Sequence, residues 1–210
     1  MARLICLEGP DRVGKATQAQ LLEKLLISMG YSAVRIEVPV KDKYTHKLIY
    51  KMLKNGLAKY FPLAFQTVQF VNRLLFQKKA LPSLVKDNDF IIFDRWSASS
   101  YVYGKASGVS EFFLRKMMNK LVQPDVTIVL DGESHVNEYR DVYEKDRLFQ
   151  RRVRAHYIDF VSRCKCCATV IDASRKQFDV LNEIVDYIDK LGMLKQKPKE
   201  KKLEKFIHRS

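Results

Sequence analysis

Cysteine is scarce in this chain. Four occur in 210 residues, at Cys6, Cys164, Cys166 and Cys167. The run "CKCC" at 164–167 has no second pair at zinc-finger spacing, and His156 is the histidine near it, so the cysteines read as reduced structural or surface thiols, with metal or redox chemistry as the alternative. Long apolar runs are missing too. None approaches the roughly 20 residues that cross a bilayer. The start, "MARLICLEGP", lacks a cleavage-site pattern, so no signal peptide is read and a cytoplasmic protein without membrane contact is expected. There is no internal repeat. Acidic residues number 24 against 38 basic ones, a net charge of +14. That surplus favours polyanionic partners without choosing between nucleotides and nucleic acid. Part of it sits in "KQKPKEKKLEKFIHRS", read as a flexible basic tail over 193–210, with weak nucleic-acid or partner contact as its alternative role.

What is present is an alternation of apolar strand-like runs and helical patterns. "RLICLEG" reads as a strand. "KATQAQLLEKLLISMG" places Leu21, Leu22, Leu25, Leu26 and Met29 at helical spacing and stops at Gly30. "SAVRIEV", "DFIIFDR", "PDVTIVLDG" and "ATVIDAS" are four more strands. Helices are expected over "THKLIYKMLKNG", "SEFFLRKMMNKLV", "FQRRVRAHYIDFVSR" and "FDVLNEIVDYIDKL". "PLAFQTVQFVNRLLFQKKALPSLVKD" reads as one long helix bent near Pro82. Such an alternation implies an α/β fold, a five-stranded parallel sheet with helices on both faces. Ligands of these sheets bind beyond the carboxyl ends of the strands. "GPDRVGK" and "DRW" both follow strands and should share one cleft.

"EGPDRVGKATQ" (8–18) has the strand–loop–helix context of a phosphate loop. Gly9 and Gly14 allow close backbone approach, the helix N-terminus favours anions, and Lys15 supplies a point charge. Ala16 stands where such loops carry the hydroxyl that holds Mg²⁺, and Thr17 is the nearest hydroxyl. Arg12 can stabilise charge on a transferring phosphoryl. Asp94 can organise Mg²⁺ through water or orient the acceptor, and Arg95 can clamp a phosphate at two points. Arg140, Arg147, Arg151, Arg152 and Arg154 crowd the segment 139–154, read as a lid over about 139–152 that closes cations on the site.

These stretches together resemble the thymidylate kinase family of the P-loop nucleoside monophosphate kinase fold. The matching pieces are "EGPDRVGKATQ", "VP" at 38–39, "VNR" at 71–73, "DRWSASSYVYG", "PDVTIVLD", "YE" with "FQRRV", and "VIDAS". They run in family order through one domain over 1–192. The resemblance implies transfer from Mg-ATP to dTMP, giving dTDP for dTTP synthesis, by a homodimer joined through the helix around 62–79. It implies that Gly9, Asp11, Arg12, Val13, Gly14, Lys15, Ala16, Thr17 and Arg140 contact ATP. On the dTMP side it implies Asp11, Lys41, Gln69, Phe70, Arg73, Arg95, Ser99, Tyr103, Tyr143 and Glu144. Arg12, Lys15, Asp94 and Arg95 are the implied catalytic set, with Asp94 nearest Mg²⁺.

The chain departs from the family pattern at four positions. Ala16 replaces the metal-side hydroxyl. Lys41 replaces an arginine fork with a point charge. Gln69 stands where a phenylalanine stacks on thymine, with Phe70 about 100° round the helix. Trp96 stands at a tyrosine or histidine position and is expected to enlarge the apolar wall. These keep two alternatives open: a broader deoxynucleoside monophosphate or deoxynucleoside kinase, and a catalytically weak nucleotide-binding protein acting through its basic tail.

Overall fold

The computed structural model describes residues 1–132, 146–164 and 167–194. Its centre is a five-stranded parallel sheet built from β1 (Arg3–Glu8), β2 (Ala33–Glu37), β3 (Phe90–Asp94), β4 (Val126–Asp131) and β5 (Cys167–Asp172), in the order β2-β3-β1-β4-β5. Side chains alternate across each strand, so β1 feeds two cores. Ile5 and Leu7 join α1 (Lys15–Ser28) and α9 (Gln177–Lys190) through Leu22, Leu25, Leu26, Val180, Leu181 and Ile184. Leu4 and Cys6 point to the opposite face and join Ile91, Phe93, Phe76 and Leu81. Both faces of the central strands are buried, which is why their sequences read as unbroken apolar runs.

The remaining helices are α2 (Thr45–Lys54), α3 (Leu57–Tyr60), α4 (Pro62–Lys79), α5 (Leu81–Asp87), α6 (Ser97–Ala106), α7 (Glu111–Met118) and α8 (Arg147–Arg163). α2, α4, α6 and α8 share a further apolar cluster through Ile49, Phe65, Val102 and Val153. The expected long helix over 62–87 is instead two. The chain breaks at Ala80, and Pro82 falls in the first turn of α5, where its missing N–H leaves no helical bond unmade. Cys6 is a buried free thiol and Cys167 an exposed one, but Cys164 is disulfide-bonded, which corrects the expectation of reduced thiols throughout.

Two features of the sheet position the site. β1 and β3 are neighbours, with Leu7 opposite Asp94, so the segments leaving their carboxyl ends emerge side by side. Gly9 then runs against β4 with φ 137°. A Cβ there would lie 2.2 Å from the Leu130 carbonyl oxygen, so only glycine lets the loop cross the sheet this closely.

Candidate active site

The first eight residues commit a carboxylate to the centre of the molecule. Glu8 ends β1 with no exposure to solvent. It accepts hydrogen bonds from Trp96 N (2.8 Å), Ser99 N (3.1 Å), Ser99 Oγ and Tyr157 OH (2.9 Å). Those bonds tie the end of β1 to the start of α6 and to α8. A buried carboxylate without such partners is costly, so this set fixes the turn after β3. Glu8 carries no signature in sequence beyond its place at the end of a strand, and its structural role was not anticipated.

Around that anchor the two loops meet as expected. A cleft of about 650 Å3 is lined by Asp11, Arg12, Gly14, Lys15, Ala16 and Thr17 from the first loop and α1, by Asp94, Arg95, Ser99, Ser100 and Tyr103 from β3 and α6, and by Gln66, Gln69 and Arg73 from α4. Arg12 (φ 63°) and Arg95 (φ 71°) both adopt the left-handed region. Non-glycine residues held there cost on the order of 1–3 kcal/mol each and cluster at functional sites.

Arg95 is the hub. Its guanidinium pairs with Asp11 and donates to Gly9 O (3.1 Å) and Ser99 Oγ (3.2 Å), with the Tyr103 ring centroid 5.2 Å away. Burial pushes the Asp11 carboxyl up, but Arg95 and Lys15 outweigh it and hold it below its usual value. Asp11 also engages the amide of Gln150 on α8, which donates to Oδ2 at 2.8 Å and accepts from Asp11 N at 3.4 Å. Gln150 was missed; the sequence showed only a glutamine among lid arginines. Lys15 is 5% exposed, and its ammonium donates to the Pro10 carbonyl. Burial and then Arg95 push it down to about 7, against Asp11, Asp94 and Glu8.

Phosphate fits this loop. Gly14 caps α1 with φ 91° and no side-chain cap, and a Cβ there would meet nothing within 4 Å. The first-turn N–H groups of α1 therefore open on the cleft beside Lys15, a ready anion site. Among the described residues there is no group of three or more His, Cys, Asp or Glu able to hold a bare metal ion. Mg²⁺ does not require one, because it keeps waters and binds through one or two carboxylates plus phosphate oxygens. Asp94 and Glu37, opposite each other on β3 and β2, are the carboxylates that would be available to such an ion, and Thr17 the hydroxyl. Asp94 is pushed up by burial and by Glu37, and a cation would reverse that.

Some expected residues sit elsewhere. Phe70 packs against the core with Val34 and Ile36 instead of lining the cleft, as its turn round α4 from Gln69 dictates. Trp96 does not enlarge the cleft wall. It is fully buried, stacks on Phe93 at 4.5 Å and donates its indole N–H to Val122 O at 2.9 Å. Lys41 is exposed and outside the cleft lining, and Val13 is in the core, contributing backbone alone to the loop. Arg73 is 2% exposed, its Nε on Trp96 O (3.0 Å) and its Nη1 on Gln69 Oε1 (2.9 Å). Arg140, Tyr143 and Glu144, most of the lid, and the tail beyond 194 lie outside the described residues. No described helix is long and apolar enough to cross a membrane.

Comparison with known proteins converges on one family. The profile of the family described as thymidylate kinase matches residues 7–184. The thymidylate kinase of Thermoanaerobacter sp. (strain X514) is 30% identical over 202 residues, covering 90% of this chain and 98% of the relative. The probable thymidylate kinase 1 of Saccharolobus solfataricus is 29% identical over 196 residues, covering 90% and 98%. A solved thymidylate kinase structure from Candida albicans superposes with a TM-score of 0.73 at 24% identity, covering 91% of this chain and 93% of that one. Its ordered motifs, parallel sheet and phosphate-loop cleft thus have one common explanation: the chain belongs to the thymidylate kinase family.

Proposed function

We propose that this kinase transfers the γ-phosphoryl group of ATP to dTMP, releasing ADP and dTDP. The observation that carries the reading is Arg95, a half-buried guanidinium set between the phosphate loop and the α4 wall. A cation there suits an acceptor that arrives with its own phosphate. A neutral 5′-hydroxyl acceptor would instead need a carboxylate base at that point.

In this reading the first-turn N–H groups of α1 and Lys15 hold the ATP phosphates, and Arg12 stabilises charge on the moving phosphoryl group. Arg95 exchanges its pairing with Asp11 for the acceptor phosphate, and the released Asp11, still held by Gln150, faces the sugar. A phosphate oxygen of dTMP forms the new P–O bond. The bond from the γ-phosphorus to the β,γ-bridging oxygen breaks, and its electron pair leaves on ADP. Mg²⁺, held by Asp94, Thr17, phosphates and waters, would neutralise charge. There is little covalent chemistry for the side chains, so catalysis rests on position and electrostatics.

Two observations favour a wider base range as the second reading. Gln69 lines the cleft where an aromatic ring would stack, and Phe70 is turned away. Assembly as a homodimer through α4 is part of the proposal, supported by exposed Leu63 and Val71 on that helix; light scattering at twice the mass of 24.5 kDa is expected. The central test is a coupled ADP-release assay with Mg-ATP against dTMP, dUMP, dGMP, dCMP and dAMP. Turnover confined to dTMP and dUMP supports the thymidylate assignment. Turnover on several bases supports the wider range, and ATP binding without turnover on any would overturn both.

A further inference from the structure

From Lys43 to Lys86 the chain carries no acidic residue. Asp42, just before that stretch, is engaged inside the fold. It accepts from the Tyr44 and Thr45 N–H groups (2.6 Å each) and from the Asn72 amide. α2 lies within the stretch. Its inner face, with Ile49 and Met52, is buried in the cluster shared with α4, α6 and α8. Its outer face carries Lys47, Lys51 and Lys54 at spacings of four and three, one exposed stripe. None of these three pairs with a carboxylate among the described residues, whereas Lys59 does, with Asp146 at 3.5 Å.

Aromatic rings stand among these cations. Tyr44, one turn before Lys47, is 71% exposed, and Lys43 Nζ lies 5.5 Å from its ring centroid. Tyr60 ends α3, which packs on α2, and is 77% exposed; Phe61 follows it, also exposed. An ordinary solvated helix face mixes both signs of charge. This one has a single sign and presents rings to water.

Uncompensated cations in a row raise the local potential and draw polyanions. Rings between them offer a flat surface on which an unpaired base can stack. In a duplex the base faces are covered, so the rings favour a single strand. A bilayer suits the face less. Helices lying in a membrane interface put apolar residues on one side and basic ones on the other. Here the apolar side is already in the core, and the outer side mixes rings with lysines. A second copy of the chain suits it less again, because like charges would meet and lysine is depleted from interface cores.

We infer that α2 and α3 form a binding surface for single-stranded nucleic acid, in which Lys47, Lys51 and Lys54 contact phosphates and Tyr44 and Tyr60 stack on bases. None of these five residues lines the phosphate-loop cleft. Strand binding and phosphoryl transfer are therefore separate properties of the chain.

The test is fluorescence anisotropy of a labelled oligo(dA) of about 20 nucleotides, a probe without thymine, on the full-length protein at about 50 to 200 mM salt. For wild type, log affinity should fall against log salt with a slope of about −2 or steeper, as three phosphate contacts on a single strand require. The combined variant Lys47→Gln, Lys51→Gln, Lys54→Gln should bind about tenfold or more weakly and flatten that slope by about 2. Tyr44→Ala and Tyr60→Ala should each weaken binding about fivefold or more with the slope unchanged, whereas Tyr44→Phe and Tyr60→Phe keep the ring and should bind as wild type does. Wild type should prefer the single strand to a duplex of equal length, and the two alanines together should abolish that preference. All variants should keep the wild-type kinase rate and a melting temperature no lower than that of wild type, since the five side chains are exposed and outside the cleft. Absence of wild-type binding at the lowest salt overturns the inference. So does binding unchanged by the three glutamines, which places the contact elsewhere, or affinity indifferent to both the rings and strandedness, which leaves a bare polyanion site. Tighter binding to phosphatidylserine vesicles than to the strand, lost with the same glutamines, would assign the face to a membrane and overturn it as well.

Discussion

At the strand-end side of the cleft, Glu8 accepts five hydrogen bonds, one of them from the Cys6 thiol, and Arg95 pairs with Asp11 while donating to Gly9 and Ser99. On the α4 side, Gln66 Oε1 is buried with no hydrogen-bond partner among the described residues, while Arg73 donates to Trp96 O and Gln69 Oε1. The phosphate half of the cleft is fully wired before any ligand arrives; the α4 half is wired only in part. The difference follows from the chemistry each half serves. Phosphoryl transfer gains most from charges already in place, because reorganising them during reaction adds to the barrier. Base selection gains from groups satisfied by the right ligand and left unpaired by the wrong one.

Replacing Arg95 would break the wired half most severely. Arg95→Ala is expected to lower kcat/KM for dTMP by about 10³ or more, the scale seen when a preorganised charge is removed, measured by ADP release. Its thermal stability should change little, since Asp11 keeps Gln150 as partner. Glu8→Ala should act in the opposite sense, through the fold. It strands the Trp96 and Ser99 N–H groups and the Tyr157 hydroxyl, for about 3 kcal/mol. In a chain of this size that is roughly 6–12 °C in melting temperature, readable by calorimetry.

Lys15 offers a pH-resolved test. Its folded pKa is pushed down to about 7, far below the value of 10.5 for the unfolded chain. Between those limits the unfolded state binds the extra proton, so Lys15 contributes a stability that rises with pH from about 7 to 10.5. The phosphates of ATP favour the charged ammonium. Binding above pH 7 must therefore take up a proton, and affinity should fall by up to about tenfold per pH unit. Titrations in buffers of different ionisation enthalpy would measure the uptake; pH-independent binding would show that Lys15 is already charged in the free enzyme. The smallest expected effect is at Ala16. Ala16→Thr restores a hydroxyl at the loop, and the Mg²⁺ concentration for half-maximal rate should fall, by about two- to fivefold if the hydroxyl supplies one charge-assisted contact.

The contrast between halves also explains what the sequence revealed. The strands and the phosphate loop were legible because local chemistry dictates them: doubly buried strands read as apolar runs, Gly9 marks backbone that no other residue fits, and Gly14 a left-handed turn that favours glycine. Residues 62–87 were misread because a proline at a helix start and a proline in a bend give the same pattern. Glu8 and Gln150 act through partners at separations of 91 and 139 residues, beyond the reach of any local pattern. Phe70 and Trp96 were assigned by aromatic character, yet a turn of about 100° per residue and the pull of the core on large rings sent both away from the cleft. Gln66 looked like an ordinary polar position on an amphipathic helix until the packing showed its carbonyl buried, with no partner among the described residues.

The measurement closest to the central claim is transfer of label from γ-³²P-ATP to dTMP, with nucleotides separated from inorganic phosphate. The account expects label in dTDP for wild type and its loss in Arg95→Ala, with ATP binding retained in both. Label released only as inorganic phosphate, or dTDP formation undiminished in Arg95→Ala, would contradict it.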